Sequence, residues 1–111
     1  NLQLAKAAVV GGIRVLLEQR GVTADDIASV ELAGGFGNYL SPENVVRIGM
    51  LPRACLSKIR PLGNAALAGA SMLALDGENW RKLAEIPEKC RYLELSGRDD
   101  FSHAFTDSLT F

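Results

Sequence analysis

The chain has 111 residues, 48% of them hydrophobic and 23% charged, with a net charge of -1 and a pI near 5.8. That balance describes one globular unit with room for a modest core and excludes an intrinsically disordered chain. It offers no basic field to nucleic acid or an anionic membrane, and its longest apolar tracts, around 7–17 and 65–75, are interrupted by glycine, arginine or serine and are too short to span a bilayer.

Residues 2–20 read as one helix, with Leu2, Ala5, Val9, Gly12, Ile13, Leu16 and Leu17 forming an apolar stripe at three- and four-residue steps. Gly11 and Gly12 within it each cost roughly 1 kcal/mol relative to alanine, which predicts that another backbone packs closely there. Arg14 and Glu18 are spaced to form a surface pair, and Gly21 supplies the C-terminal stop. Thr23 caps a short helical turn at 24–26 that delivers the chain into a strand at Val30, Leu32 and Ala33.

The strand runs into Gly34-Gly35-Phe36-Gly37-Asn38-Tyr39, where three glycines within four residues let the backbone turn sharply. Ser41-Pro42-Glu43 then starts a helix to Gly49, with Ser41 as cap and Val45, Val46 and Ile48 facing inward. Strand, glycine turn and helix is a layout that nucleotides use, because bare backbone lets a ring, ribose or phosphate approach main-chain N–H groups. The same spacing also serves a tight structural turn, and both readings stay open at this point. The glycines do not fit the Rossmann fingerprint, and the chain holds no Gly-Lys-Ser or Gly-Lys-Thr phosphate loop.

A second short strand is expected around Ile59, ending at Pro61 and Gly63. Asn64 caps a helix over 65–75 whose residues are nearly all small, a composition suited to close approach by a sheet or helix. A further helix covers 78–84, with Trp80 and Leu83 on one side. Arg91-Tyr92-Leu93-Glu94-Leu95 alternates as a third strand, and a last helix over 98–109 places Phe101, Phe105 and Leu109 on a core face. Helices alternating with short strands predict α/β layering, with a sheet so small that it is shared with or completed by other sequence. The chain starts in mid-helix without a methionine, which predicts a single domain, 1–111, cut from the C-terminal part of a larger multidomain protein. It opens without a basic leader, so a cytoplasmic protein is expected.

Cys55 and Cys90 match no zinc or iron-sulfur spacing and read as reduced thiols. His103, the only histidine, has no partner in sequence for a metal site or a triad and reads as a partly exposed helix residue. No catalytic residue and no metal ligand is assigned.

Four blocks taken together, Leu2-Gln3-Leu4-Ala5-Lys6-Ala7-Ala8, Leu32-Ala33-Gly34-Gly35-Phe36-Gly37-Asn38-Tyr39, Gly63-Asn64-Ala65-Ala66 and Tyr92-Leu93-Glu94-Leu95-Ser96, resemble the C-terminal domain of the reductive activators of corrinoid proteins, in order and over nearly the whole chain. Those proteins belong to the actin, sugar-kinase and Hsc70-like ATPase superfamily. The resemblance implies a ribonuclease H-like α/β C-terminal subdomain, a small sheet with packed helices. It implies an ATP-dependent, iron-sulfur-containing parent in which an N-terminal domain carries the cluster, and ATP with magnesium drives reduction of a cobalt(II) corrinoid to the cobalt(I) form used in methyl transfer. The partners so implied are a corrinoid protein, ATP and the N-terminal domains of the same chain.

Carried onto this chain, Gly34 and Gly35 match the adenosine motif, Phe36 and Asn38 border the ring or ribose, Lys6 corresponds loosely to an adenine-lining position, and Asn64 caps its helix near the same cleft. A solvated surface lysine explains Lys6 equally well, and the cap alone explains Asn64. The Asp-x-Gly-Thr phosphate loops, the metal-holding carboxylates and the cysteine-rich domain are absent from this stretch, and Asp25, Asp26 and Glu31 do not replace them. Phosphoryl transfer needs those clamps, so the isolated chain is not expected to hydrolyse ATP. The alternatives are a non-catalytic interaction or self-association module with the same fold, including a homo-oligomer, and a lobe of another actin-like or sugar-kinase-like ATPase.

Overall fold

A computed structural model describes residues 2–34 and 41–110. Helix α1 (Leu2–Arg20) leads through a 3-10 turn (Ala24–Asp26) to strand β1 (Val30–Ala33), helix α2 (Pro42–Arg47), a 3-10 segment (Arg53–Lys58) and strand β2 (Ile59–Gly63). Helices α3 (Ala65–Leu75) and α4 (Glu78–Glu85), a 3-10 turn (Pro87–Lys89) and helix α5 (Asp99–Asp107) complete the chain. The small α/β architecture expected from the sequence is what forms.

Local chemistry sets most boundaries. Gly21 stops α1 at a φ of +68°, its N–H donating to the Glu18 carbonyl at 3.1 Å. The Thr23 N–H donates to the Asp26 carboxylate at 2.8 Å and closes the first 3-10 turn. Ser41 Oγ accepts from the Asn44 N–H at 3.2 Å with Pro42 at the first helical position, and Asn64 Oδ1 accepts from the Leu67 N–H at 2.9 Å, each relieving an orphan donor.

β1 and β2 pair in parallel, Val30 opposite Ile59, Glu31 opposite Arg60 and Ala33 opposite Gly63, with an irregularity between Leu32 and Ala33. Glu31 and Arg60 face solvent 4.0 Å apart, a contact worth little. Val30, Leu32 and Ile59 pack against the buried cluster of Val45, Met50 and Leu51, joined by Ile13, Val46 and Ile48. Of the residues expected to face inward here, Val45 sits in the buried cluster while Val46 and Ile48 are partly buried and pack against it.

Along α1 the buried line differs from the expected stripe. Lys6, Ala7, Gly11, Gly12 and Val15 are buried, whereas Leu2, Leu4, Val9 and Leu16 are exposed. The glycines decide this. A methyl placed on Gly11 would sit 3.2 Å from both the Phe105 backbone nitrogen and the tip of the Phe101 ring, so α5 lies against bare α1 backbone, as the glycine pair predicts. Phe101 and Phe105 pack with ring centroids 6.2 Å apart. Arg14 reaches across this seam to Asp107 at 3.7 Å rather than along its own helix to Glu18.

Residues 91–95 form no strand, and the described sheet has two strands, not three. Their alternation reflects packing on a helix: Leu95 lies 3.5 Å from where a methyl on Gly12 would stand, while Tyr92 is 85% exposed. With no neighbouring strand to satisfy its backbone, the segment turns on itself. Glu94 accepts hydrogen bonds from the Tyr92 hydroxyl and from the Ser96 N–H, and these hold its carboxyl below the usual carboxylate range, the tyrosine contributing most.

Helices α3 and α4 contain no buried residue among them. Leu67, Met72, Leu75, Trp80, Leu83 and Ile86 are all exposed, and a groove of about 440 Å³ lined by Ala66, Ala70, Leu73, Leu83 and Ile86 runs between the two helices. The radius of gyration, 15.9 Å, exceeds the ~13 Å of a compact domain this long.

Candidate functional site at the strand ends

The C-terminal ends of β1 and β2 meet at two left-handed glycines. Gly34, just past β1, has a φ of +81°, and Gly63, which ends β2, has a φ of +67°. The Gly34 N–H donates to the Gly63 carbonyl at 2.8 Å, extending the ladder by one bond and locking the two turns side by side. No side chain but glycine adopts these angles freely. Among the described residues, nothing lies within 4 Å of the position a Gly34 Cβ would take.

Of the residues singled out from the sequence, Gly34 and Asn64 are brought together here, because Asn64 directly follows Gly63. Gly35, Phe36 and Asn38 lie outside the described residues. Gly63 is the part that sequence reasoning left as a mere strand end. Its signal was available, since a glycine closing each of two short strands marks a turn at each strand end. The Gly34 amide is committed to Gly63 and is not free to donate elsewhere.

Lys6 is 4% exposed, and its stem passes 3.5 Å from the position of a Gly49 Cβ. Its Nζ donates to the carbonyls of Ser108 and Thr110, both at 2.7 Å. The solvated surface lysine entertained from the sequence is thus a buried one, placed where the orphan carbonyls past α5 need a cation. A charged residue seven positions before Ile13, on a face that is otherwise apolar, was the available signal.

His103 is exposed on α5, Cys55 is buried and Cys90 is exposed. Among the described residues no three His, Cys, Asp or Glu side chains gather to hold a metal ion, and no helix is long and apolar enough to cross a membrane. What the described residues bring together is a glycine turn beside a capped helix start, at the carboxyl edge of two parallel strands.

A family described as the C-terminal domain of RACo, the ASKHA domain, matches residues 1–111. The corrinoid activation enzyme RamQ of Eubacterium limosum is 33% identical over 110 residues, which cover 99% of this chain and 18% of that protein. A solved structure of a reductive activator for corrinoid, iron-sulfur protein superposes with a TM-score of 0.90 at 36% identity, covering 98% of this chain and 17% of that one. The chain spans less than a fifth of the length of these relatives.

Proposed function

The chain belongs to the family of C-terminal ASKHA domains of corrinoid reductive activators, and on that premise we propose that it is the adenosine-binding subdomain of a longer, ATP-dependent activator of a corrinoid protein. The paired left-handed glycines at the carboxyl ends of the parallel strands β1 and β2, joined by the Gly34–Gly63 hydrogen bond, carry this reading. Gly34 and Gly35 would form the shelf on which the nucleoside lies, Phe36 and Asn38 would border it, and Asn64 would hold the start of α3 at the same edge. In the longer protein, magnesium-ATP supplies the free energy for a one-electron transfer from an iron-sulfur cluster in an N-terminal domain to cobalt(II), giving the cobalt(I) state that accepts a methyl group. The sequence has no Asp-x-Gly-Thr phosphate loop and, among the described residues, no carboxylate cluster for a metal, so turnover is assigned to the cytoplasmic full-length protein.

Titration with magnesium-ATP against magnesium-GTP, followed by NMR, tests the site. Adenine-selective shifts at Gly34, Gly35 and Asn38 are expected, and shifts confined elsewhere would overturn the assignment. In the full-length protein Gly35→Leu is expected to weaken ATP binding at least tenfold, and unchanged affinity would sink the shelf.

The apolar exposed surface of α3 and α4 supports a second reading, that this domain also serves as a packing module for other lobes of the same protein or for another copy of the chain. Light scattering on wild type and Leu67→Glu separates the two occupants: a dimer that the substitution dissolves favours self-association, and a monomer throughout favours a lobe of the same protein.

A further inference from the structure

A second concave surface lies between the last turn of α1 and the segment after α4. It is a cleft of about 690 Å³, walled by Arg20 and Leu16 on one side and by Glu88, Lys89, Arg91 and Tyr92 on the other. Three cations thus face a single carboxylate, on a chain whose net charge is -1. Arg20, Lys89 and Arg91 make no ion pair among the described residues, although carboxylates are plentiful in the sequence. Glu94, the acid nearest in sequence on the far side, has its oxygens committed to the Tyr92 hydroxyl and the Ser96 N–H. Leu16 and the exposed ring of Tyr92 line the same cleft.

Arginine and tyrosine, which share this cleft with a leucine, are residue types enriched at protein interfaces, where guanidinium forks take carboxylates and rings take aliphatic side chains. A compact polyphosphate is the poorer occupant. Phosphate sites are built from backbone N–H groups at helix N-termini or glycine nests, whereas this cleft holds the C-terminal, electronegative end of α1. Carboxylates spread along an extended segment can meet the three side-chain tips without approaching those carbonyls. We propose that this cleft docks an acidic, leucine-bearing segment of a partner protein, independently of the nucleotide edge at Gly34 and Gly63.

The test uses the full-length protein and a fluorescein-labelled, glutamate-rich peptide carrying leucines, followed by fluorescence anisotropy. Binding that weakens with salt is expected, with Arg20→Glu and Arg91→Glu each reducing affinity about tenfold and Arg47→Glu, on α2, leaving it unchanged. All three positions are exposed, so the folds of the variants remain comparable, and magnesium-ATP affinity measured on the same samples reports the nucleotide edge separately. Absence of binding, equal effects of all three substitutions, or displacement by tripolyphosphate at lower concentration than unlabelled peptide would overturn the proposal.

Discussion

Gly11 and Gly12 are neighbours on one helix with the same intrinsic cost, so replacing each by alanine isolates what lies opposite. The helix-propensity gain is about 1 kcal/mol in both cases. At Gly12 the new methyl meets, among the described residues, only Leu95 Cδ1 at 3.5 Å, an ordinary contact that a flexible side chain tolerates. Gly12→Ala is therefore expected to stabilise by about 0.5–1 kcal/mol. At Gly11 the methyl would stand 3.2 Å from the Phe105 nitrogen and 3.4 Å from its Cα, and backbone cannot swing away. Separating α5 from α1 by a few tenths of an ångström disturbs the Phe101 and Phe105 packing at a cost of about 1–3 kcal/mol, which cancels or exceeds the gain. The two variants should differ by about 1–3 kcal/mol in urea unfolding, and by roughly 4 °C or more in Tm, with unchanged m-values. Equal stabilisation by both substitutions would refute the claim that α5 rests on bare backbone.

Lys6→Met keeps the aliphatic stem but removes two buried donors, and with relief of ammonium desolvation as a partial offset it should cost about 2 kcal/mol, with hydrogen exchange rising first around 104–110. Asn64→Ala should cost about 0.5–2 kcal/mol by loss of the cap on Leu67, read as fraying of α3 by NMR. The Arg98 guanidinium holds the Asp100 carboxyl below the usual carboxylate range, so its contribution is complete above the unfolded-chain pKa of about 3.9 and is lost as pH falls through the lower folded value. Acid titration should therefore move the Phe101 amide, which donates to the same carboxylate, at a pH below that of free aspartate, and Arg98→Met should shift that midpoint upward.

What was legible in the sequence was local. Ser41 with Pro42, Asn64 and Gly21 announce element ends through bonds made within a few residues, and all appear where the spacing puts them. The strands at Val30 and Ile59 were legible because β-branched residues stand between turn signals. The alternation at 91–95 misled because period two describes any extended segment with one covered face, and only a neighbouring strand turns it into sheet. The buried face of α1 was hidden for a related reason. Hydrophobicity ranks Leu2 and Val9 above Gly11, yet what α5 required was absence of a side chain, a demand set by a helix some ninety residues on. Lys6 likewise depends on carbonyls at the far end of the chain. At the candidate site the glycine turn after β1 was visible as a motif, but its pairing with Gly63 is a property of strand register.

α3 differs from every other helix described here in being apolar on all sides while burying nothing. A helix of that composition belongs in an interior, and Leu75 at 86% exposure and Leu67 at 64% are the extreme positions. If other parts of a longer protein cover α3, the same substitution must have opposite consequences in two contexts. In the isolated chain Leu67→Glu or Leu75→Lys removes exposed apolar surface and leaves the core of Val45, Met50 and Leu51 untouched, so Tm should change little and aggregation should fall. In the full-length protein the new charge would be driven into an interface, costing about 2–4 kcal/mol through desolvation and lost packing. Paired thermal denaturation of both forms reads the difference directly. Matching behaviour in the two contexts would show that α3 faces solvent in both, and the packing role assigned to it would fail while the nucleotide edge proposed at Gly34 and Gly63 stood unaffected.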